Sequence, residues 1–92
     1  MSATDVVIYT TPWCGYCLRA KRLLGEKGAP FQEIDVSDTA RRAAMRERTG
    51  GLNSVPQIFI GGRHVGGCDE LYALEARGGL EPLLAGAAPV KE

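Results

Sequence analysis

Two cysteines at Cys-x-x-Cys spacing, Cys14 and Cys17, sit where an apolar, β-branched run (Val6, Val7, Ile8, Tyr9) gives way to a Lys/Arg-rich helical pattern. This junction, Thr11-Pro12-Trp13-Cys14-Gly15-Tyr16-Cys17, constrains the chain more than any other segment. A strand running into a helix places the first thiol at the positive end of the helix dipole. Unpaired backbone N–H groups there favour thiolate over thiol. The second cysteine falls on the same first turn, within reach of any disulfide that the first one forms. The chemistry implied is dithiol redox exchange.

Length and composition narrow the setting. The chain has 92 residues, enough for one domain near the lower end of comfortable single-core folding. Hydrophobic residues make up 45% and charged residues 24%, as in an ordinary globule and unlike a disordered or fibrous chain. Acidic and basic residues balance at 11 each, so bulk charge points to neither nucleic acid nor an anionic membrane. No apolar stretch suits a signal peptide or a bilayer span. Three cysteines (Cys14, Cys17, Cys68), two of them at reactive spacing, do not make a secreted disulfide framework. The compartment expected is therefore the reducing cytoplasm.

Periodicity gives the order of elements. Residues 6–11 read as a buried strand ended by Pro12. Cys17, Ala20, Leu23 and Leu24 recur at helical spacing between Cys14 and about Lys27, and Gly28 is the stop. Phe31 to Val36 reads as a second strand. Ser37 or Asp38 caps a helix that carries Ala40, Ala43, Ala44 and Met45 and ends at Gly50-Gly51. Val55-Pro56 opens a third strand (Gln57 to Ile60), and Gly61-Gly62 turns it into a short fourth, Arg63 to Val65. A third helix starts at Cys68-Asp69 and stops at Gly78-Gly79. Leu80 to Leu84 forms a last short turn, and the tail from Gly86 to Glu92 is expected to fray. The order β-α-β-α-β-β-α(-α) predicts a single α/β domain over residues 1–92, with helices flanking a mixed four-stranded sheet.

With Cys14-Gly15-Tyr16-Cys17, Ser54-Val55-Pro56 and Gly66-Gly67-Cys68-Asp69 in this order, the chain resembles the glutaredoxins of the thioredoxin fold. The stretch from Val55 through Gly78-Gly79-Leu80 is similar to the third type of small bacterial dithiol glutaredoxin. The resemblance runs from residue 5 to about residue 85 and rests on three separated motifs. It implies a glutathione-dependent thiol–disulfide oxidoreductase that acts on protein–glutathione mixed disulfides and protein disulfides as a monomer. Cys14 is then the nucleophile and Cys17 the resolving thiol.

The same resemblance implies a glutathione site. Val55, before a cis Pro56, pairs with the cysteinyl part through its backbone. The N–H groups of Cys68 and Asp69, in the turn after Gly67, receive the γ-glutamyl carboxylate, and the Asp69 side chain receives the ammonium. Arg42 faces the glycine carboxylate. Thr11 and Tyr16 complete the set. Three departures stand out: Thr11 replaces a Lys common three residues before the first cysteine, Gly15 replaces a proline, and Gly50 to Ser54 is about one residue longer than in close relatives.

Other readings compete. Gly15 suits a [2Fe–2S] cluster bridging two copies, with Cys14 and glutathione thiolates as ligands. His64 and Cys68 could complete a zinc site with the Cys-x-x-Cys pair. A thioredoxin-like reductant recycled by a flavoenzyme would have no need of Gly67-Cys68-Asp69 or Arg42. The plain expectation for Cys68 is a small buried residue, and for His64 a solvent-facing strand residue. Arg19, Lys21 and Arg22 read as a solvated helix face, as do Arg41, Arg46 and Arg48.

Overall fold

The apolar runs pair into one four-stranded sheet in the computed structural model, which describes residues 5–86. The strands are β1 (Val6–Thr10), β2 (Gln32–Asp35), β3 (Gln57–Ile60) and β4 (Arg63–Gly66). The helices are α1 (Gly15–Glu26), α2 (Thr39–Arg48), α3 (Cys68–Ala76) and α4 (Leu80–Leu84). The sheet order is β2-β1-β3-β4, with β1 parallel to β2 and antiparallel to β3, and β3 antiparallel to β4. This position in the sheet explains the composition of each strand. β1 and β3 are interior and covered on both faces, so both are nearly continuous in apolar residues. β2 and β4 are edges and carry the charged or polar Gln32, Glu33, Asp35, Arg63 and His64.

Alternation along β1 and β3 sends side chains to two cores. Val6, Ile8, Ile58 and Ile60 pack with Ala20, Leu23 and Leu24 of α1, Leu71 of α3 and Leu80 of α4. Tyr9 and Phe59 face the other way, onto Val36 and Met45. Each large apolar side chain buried in this way stabilises the fold by roughly 1.5–3 kcal/mol.

The boundaries follow local chemistry. Asp38 caps α2, its Oδ2 accepting from Arg41 N at 2.9 Å. That helix ends at Arg48, before the expected Gly50-Gly51. Of its four expected core residues, Met45 is fully buried, while Ala40 and Ala44 are exposed. Gly61 and Gly62, with φ of 60° and 79°, supply the two left-handed positions that a two-residue hairpin turn needs. β4 carries an irregularity: Ile58 pairs with Gly66 but Phe59 with His64, leaving Val65 as the extra residue. The expectation of a frayed tail falls on residues 87–92, outside the described residues, apart from Gly86.

Candidate redox site

The loop after β1 delivers Cys14 to the N-cap of α1. Cys14 Sγ accepts a hydrogen bond from Cys17 N at 3.0 Å, and Cys14 O accepts from Leu18 N at 3.1 Å. The two cysteines form a disulfide. Their environments differ sharply: Cys14 is half-buried, whereas Cys17 is 2% exposed against the core. Only Cys14 can meet an incoming sulfur, and Cys17 can reach only Cys14. Trp13, directly before the nucleophile, has a φ of +64° and is fully exposed. The left-handed turn at an aromatic residue costs about 1–3 kcal/mol and directs the indole out of the fold.

Facing the disulfide is the loop that enters β3. The Val55-Pro56 peptide bond is cis, and Val55 O lies 3.9 Å from Cys14 Sγ. Beyond it begins α3. Its N-cap is Gly67, which has no side chain with which to cap the first turn. Glu70 reaches back instead, its Oε1 accepting from Gly67 N at 2.7 Å. This leaves the N–H groups of Cys68 and Asp69, at the positive end of the helix, without intrahelical partners.

Two clefts lie at this end of the molecule, and Cys14 and Cys17 line only the larger. One, of about 250 Å³, is lined by Tyr16, Ser54, Val55, Pro56, Gly67, Cys68, Asp69 and Glu70. The other, of about 770 Å³, lies between the loop after β1, the first turns of α1 and the edge strand β2. At that edge Glu33 Oε2 accepts from Thr10 Oγ1 at 2.7 Å and from Lys21 Nζ at 2.9 Å. The Lys21 hydrogen bond, and then that of Thr10, hold the Glu33 carboxyl below its ordinary value. Asp35 is lowered as well, by hydrogen bonds from Ser37.

Six of the residues expected to bind glutathione (Tyr16, Val55, Pro56, Gly67, Cys68 and Asp69) meet in the smaller cleft. Two do not. Thr11 lines the larger cleft, and Arg42 lines neither, its Nη2 donating to Asn53 O at 3.2 Å. Cys68 is 5% exposed, and burial pushes its thiol pKa up, so it is a poor nucleophile at neutral pH.

Two expectations are corrected, for His64 and Lys21, and a third is extended. His64 is not a solvent-facing strand residue: it stacks on Phe59 and its Nε2 lies 2.7 Å from Gln57 Oε1. Arg48 is exposed, as expected, and in addition lies 4.1 Å over the Phe59 ring and donates to Tyr9 Oη at 2.7 Å. Lys21 is half-buried in its pair with Glu33. Sequence reasoning missed Gln57 and Glu33 altogether. A polar residue at the start of an apolar strand was the one available signal for Gln57.

A Cys-x-x-Cys disulfide capping a helix, with one reachable sulfur and a cis-proline loop beside it, defines a thiol–disulfide oxidoreductase of the thioredoxin fold. Comparison with known proteins narrows the class. The family model described as Glutaredoxin matches residues 6–65. Glutaredoxin 3 of Escherichia coli K12 is 52% identical over 80 residues, covering 87% of this chain and 96% of that protein. The solution structure of glutaredoxin from Brucella melitensis superposes with a TM-score of 0.84 at 57% identity, over 98% of both chains. A crystal structure of a buckwheat glutaredoxin–glutathione complex matches with a TM-score of 0.81 at 37% identity, over 94% of this chain and 83% of that one. The chain belongs to the glutaredoxin family. It is a dithiol member, a glutathione-dependent thiol–disulfide oxidoreductase with Cys14 and Cys17 as its redox pair. Among the described residues no helix is long and apolar enough to cross a membrane.

Proposed function

We propose that this protein removes glutathione from protein mixed disulfides, binding the tripeptide in the smaller cleft and the protein half of the substrate on the side of Trp13. One observation carries the reading: residues encoded in three separate segments line a single cleft beside Cys14 Sγ. A glutathione complex is known for the buckwheat relative, which supports the ligand. Val55 offers its backbone to the cysteinyl unit. The free N–H groups of Cys68 and Asp69 take the γ-glutamyl carboxylate, and the Asp69 carboxylate takes the ammonium. Arg42 meets the glycine carboxylate with guanidinium donors other than the N–H given to Asn53. Thr11 contributes from the larger cleft, which Cys14 also lines.

The exchange balances in two steps. The Cys14 thiolate attacks the glutathione sulfur of the substrate. A Cys14–glutathione disulfide forms, and the protein sulfur leaves as a thiolate that takes up a proton. A second glutathione thiolate then attacks the sulfur of the bound glutathione, releasing glutathione disulfide and restoring the Cys14 thiolate. With a protein disulfide as substrate, Cys17 attacks the mixed disulfide at Cys14, frees the protein as a dithiol and closes the pair. Two glutathiones reopen it. The reducing cytoplasm, where glutathione is abundant, is the compartment proposed.

The test is glutathione-dependent reduction of a glutathionylated peptide by Cys17→Ser. Retained or raised turnover supports the reading, since Cys14 alone suffices for this route. Lost turnover in a folded variant overturns it in favour of a pair that acts only together. A second reading, a glutathione-ligated [2Fe–2S] cluster bridging two copies, draws on the open space beside Gly15, where a would-be Cβ meets nothing within 4 Å beyond its chain neighbours and its own helix backbone. Anaerobic reconstitution that yields a colourless monomer would remove it.

A further inference from the structure

Behind the Val55-Pro56 loop runs a chain of polar contacts with no part in the exchange chemistry. Gln57, first residue of β3, is 2% exposed. Its Nε2 donates to Ser54 O at 3.1 Å and to Ser54 Oγ at 3.3 Å, while its Oε1 lies 2.7 Å from His64 Nε2. The orientation of this amide follows from chemistry. Ser54 O can only accept, so the amide nitrogen must face it and the amide oxygen must face the imidazole. His64 therefore acts as the donor from Nε2. The two-residue Gly61-Gly62 turn makes this possible by setting His64 directly across from Phe59, ahead of the bulge at Val65, and the two rings stack at 4.8 Å with 28° between planes. In this register Gln57, Phe59 and His64 share the face of the sheet turned toward α2.

We propose that His64 is a positioning residue for glutathione selectivity: through Gln57 it fixes the Ser54 carbonyl, and with it the backbone of Val55 that reads the cysteinyl unit. The proposal rests on the glutathione reading given above. Without the Nε2 donor, Gln57 Oε1 is a buried acceptor with no partner, and the amide is free to rotate away from Ser54. The loop that faces Cys14 then has no fixed anchor. Binding of glutathione weakens, while the sulfur chemistry at Cys14, on a different element, is untouched.

Two substitutions separate the donor from the ring. His64→Phe keeps the stack on Phe59 and removes the N–H. His64→Gln removes the ring and keeps an N–H donor at similar reach. The assay compares reduction of a peptide carrying a glutathionyl mixed disulfide with reduction of the same peptide carrying a 2-hydroxyethyl mixed disulfide, which has no backbone for Val55 to read. For His64→Phe, KM for the glutathionyl peptide should rise about three- to tenfold with kcat unchanged. The hydroxyethyl rate should hold, and His64→Gln should stay near wild type. Gln57→Met removes all three hydrogen bonds of the amide at similar volume and should repeat the His64→Phe result, which keeps the test valid if either variant folds poorly. The proposal is overturned if His64→Phe behaves as wild type while His64→Gln fails, if both substrates slow equally, or if nothing changes. A wild-type enzyme that does not prefer the glutathionyl peptide would instead overturn the glutathione reading itself, and this inference with it.

Discussion

Gly66→Ala tests how tightly β4 is joined to α3 and the proposed glutathione cleft. Gly66 has a φ of +124°, a conformation open to glycine and strained for other residues. A Cβ built there would stand 2.8 Å from Glu70 Cγ and 2.9 Å from Glu70 Cβ, so the Glu70 side chain must move. That side chain is the one holding Gly67 N, at 2.7 Å. Backbone strain of about 1–3 kcal/mol and the loss of one hydrogen bond, about 0.5–1.5 kcal/mol, together give a destabilisation of roughly 2–4 kcal/mol. In a domain of this size the midpoint of thermal unfolding should fall by roughly 10–30 °C. Non-additivity follows from the shared contact. Glu70→Ala alone loses the hydrogen bond, about 1 kcal/mol, and removes the Cγ that the new methyl group at position 66 would strike. The double variant should therefore cost about 1 kcal/mol less than the sum of the two single ones. Urea denaturation of the reduced protein at pH 7, followed by far-ultraviolet circular dichroism, measures all four corners of the cycle. A loss below about 1 kcal/mol for Gly66→Ala, or strict additivity, would refute the reasoning from strain and shared contact.

Three further outcomes are expected. Leu24→Ala, which empties a fully buried position between α1 and the sheet, should cost about 2–5 kcal/mol in denaturant while leaving the reactivity of Cys14 in the folded fraction unchanged. Because hydrogen bonds from Lys21 and Thr10 hold the folded Glu33 carboxyl below its ordinary 4.5, its stabilisation is present above that value and is lost as pH falls through the lower, folded value. Glu33→Gln should therefore flatten the acid limb of a stability–pH curve, and the difference should shrink in high salt because Glu33 is partly exposed. Thr11→Lys adds a cation to the loop before Cys14 and should speed reaction with the anionic tripeptide several-fold at low ionic strength, an advantage that about 1 M salt abolishes.

Much of this architecture is legible in the chain because interior strands and helix faces carry strong periodic signals. Val6 to Tyr9 and Gln57 to Ile60 read as buried strands because both lie inside the sheet, and Cys17, Ala20, Leu23 and Leu24 read as one face of α1. The redox pair is legible for the same local reason, two thiols on one helical turn. What is not legible depends on register. His64 reads as an exposed edge residue by spacing alone, whereas the register from the Gly61-Gly62 turn sets it opposite Phe59, on the covered face of the sheet. Arg48 belongs to a polar helix face by pattern, yet its long side chain reaches over Phe59 to Tyr9, 39 positions away. Contacts between β2 and α1, such as that of Glu33 with Lys21, likewise arise only once the parallel pairing of β1 and β2 exists.

Trp13 gives the protein a property of a different kind. It is the one tryptophan in the chain, fully in water, and next in sequence to the sulfur that reacts. Its fluorescence is therefore a single-site signal, uncontaminated by a buried indole. A disulfide next to an indole quenches it, so opening the Cys14–Cys17 bond should brighten the emission. A polypeptide laid across the site should strip water from the ring and shift the emission to shorter wavelength. Redox state and substrate docking can then be followed in real time on the unlabelled protein, as two separable optical changes from one side chain.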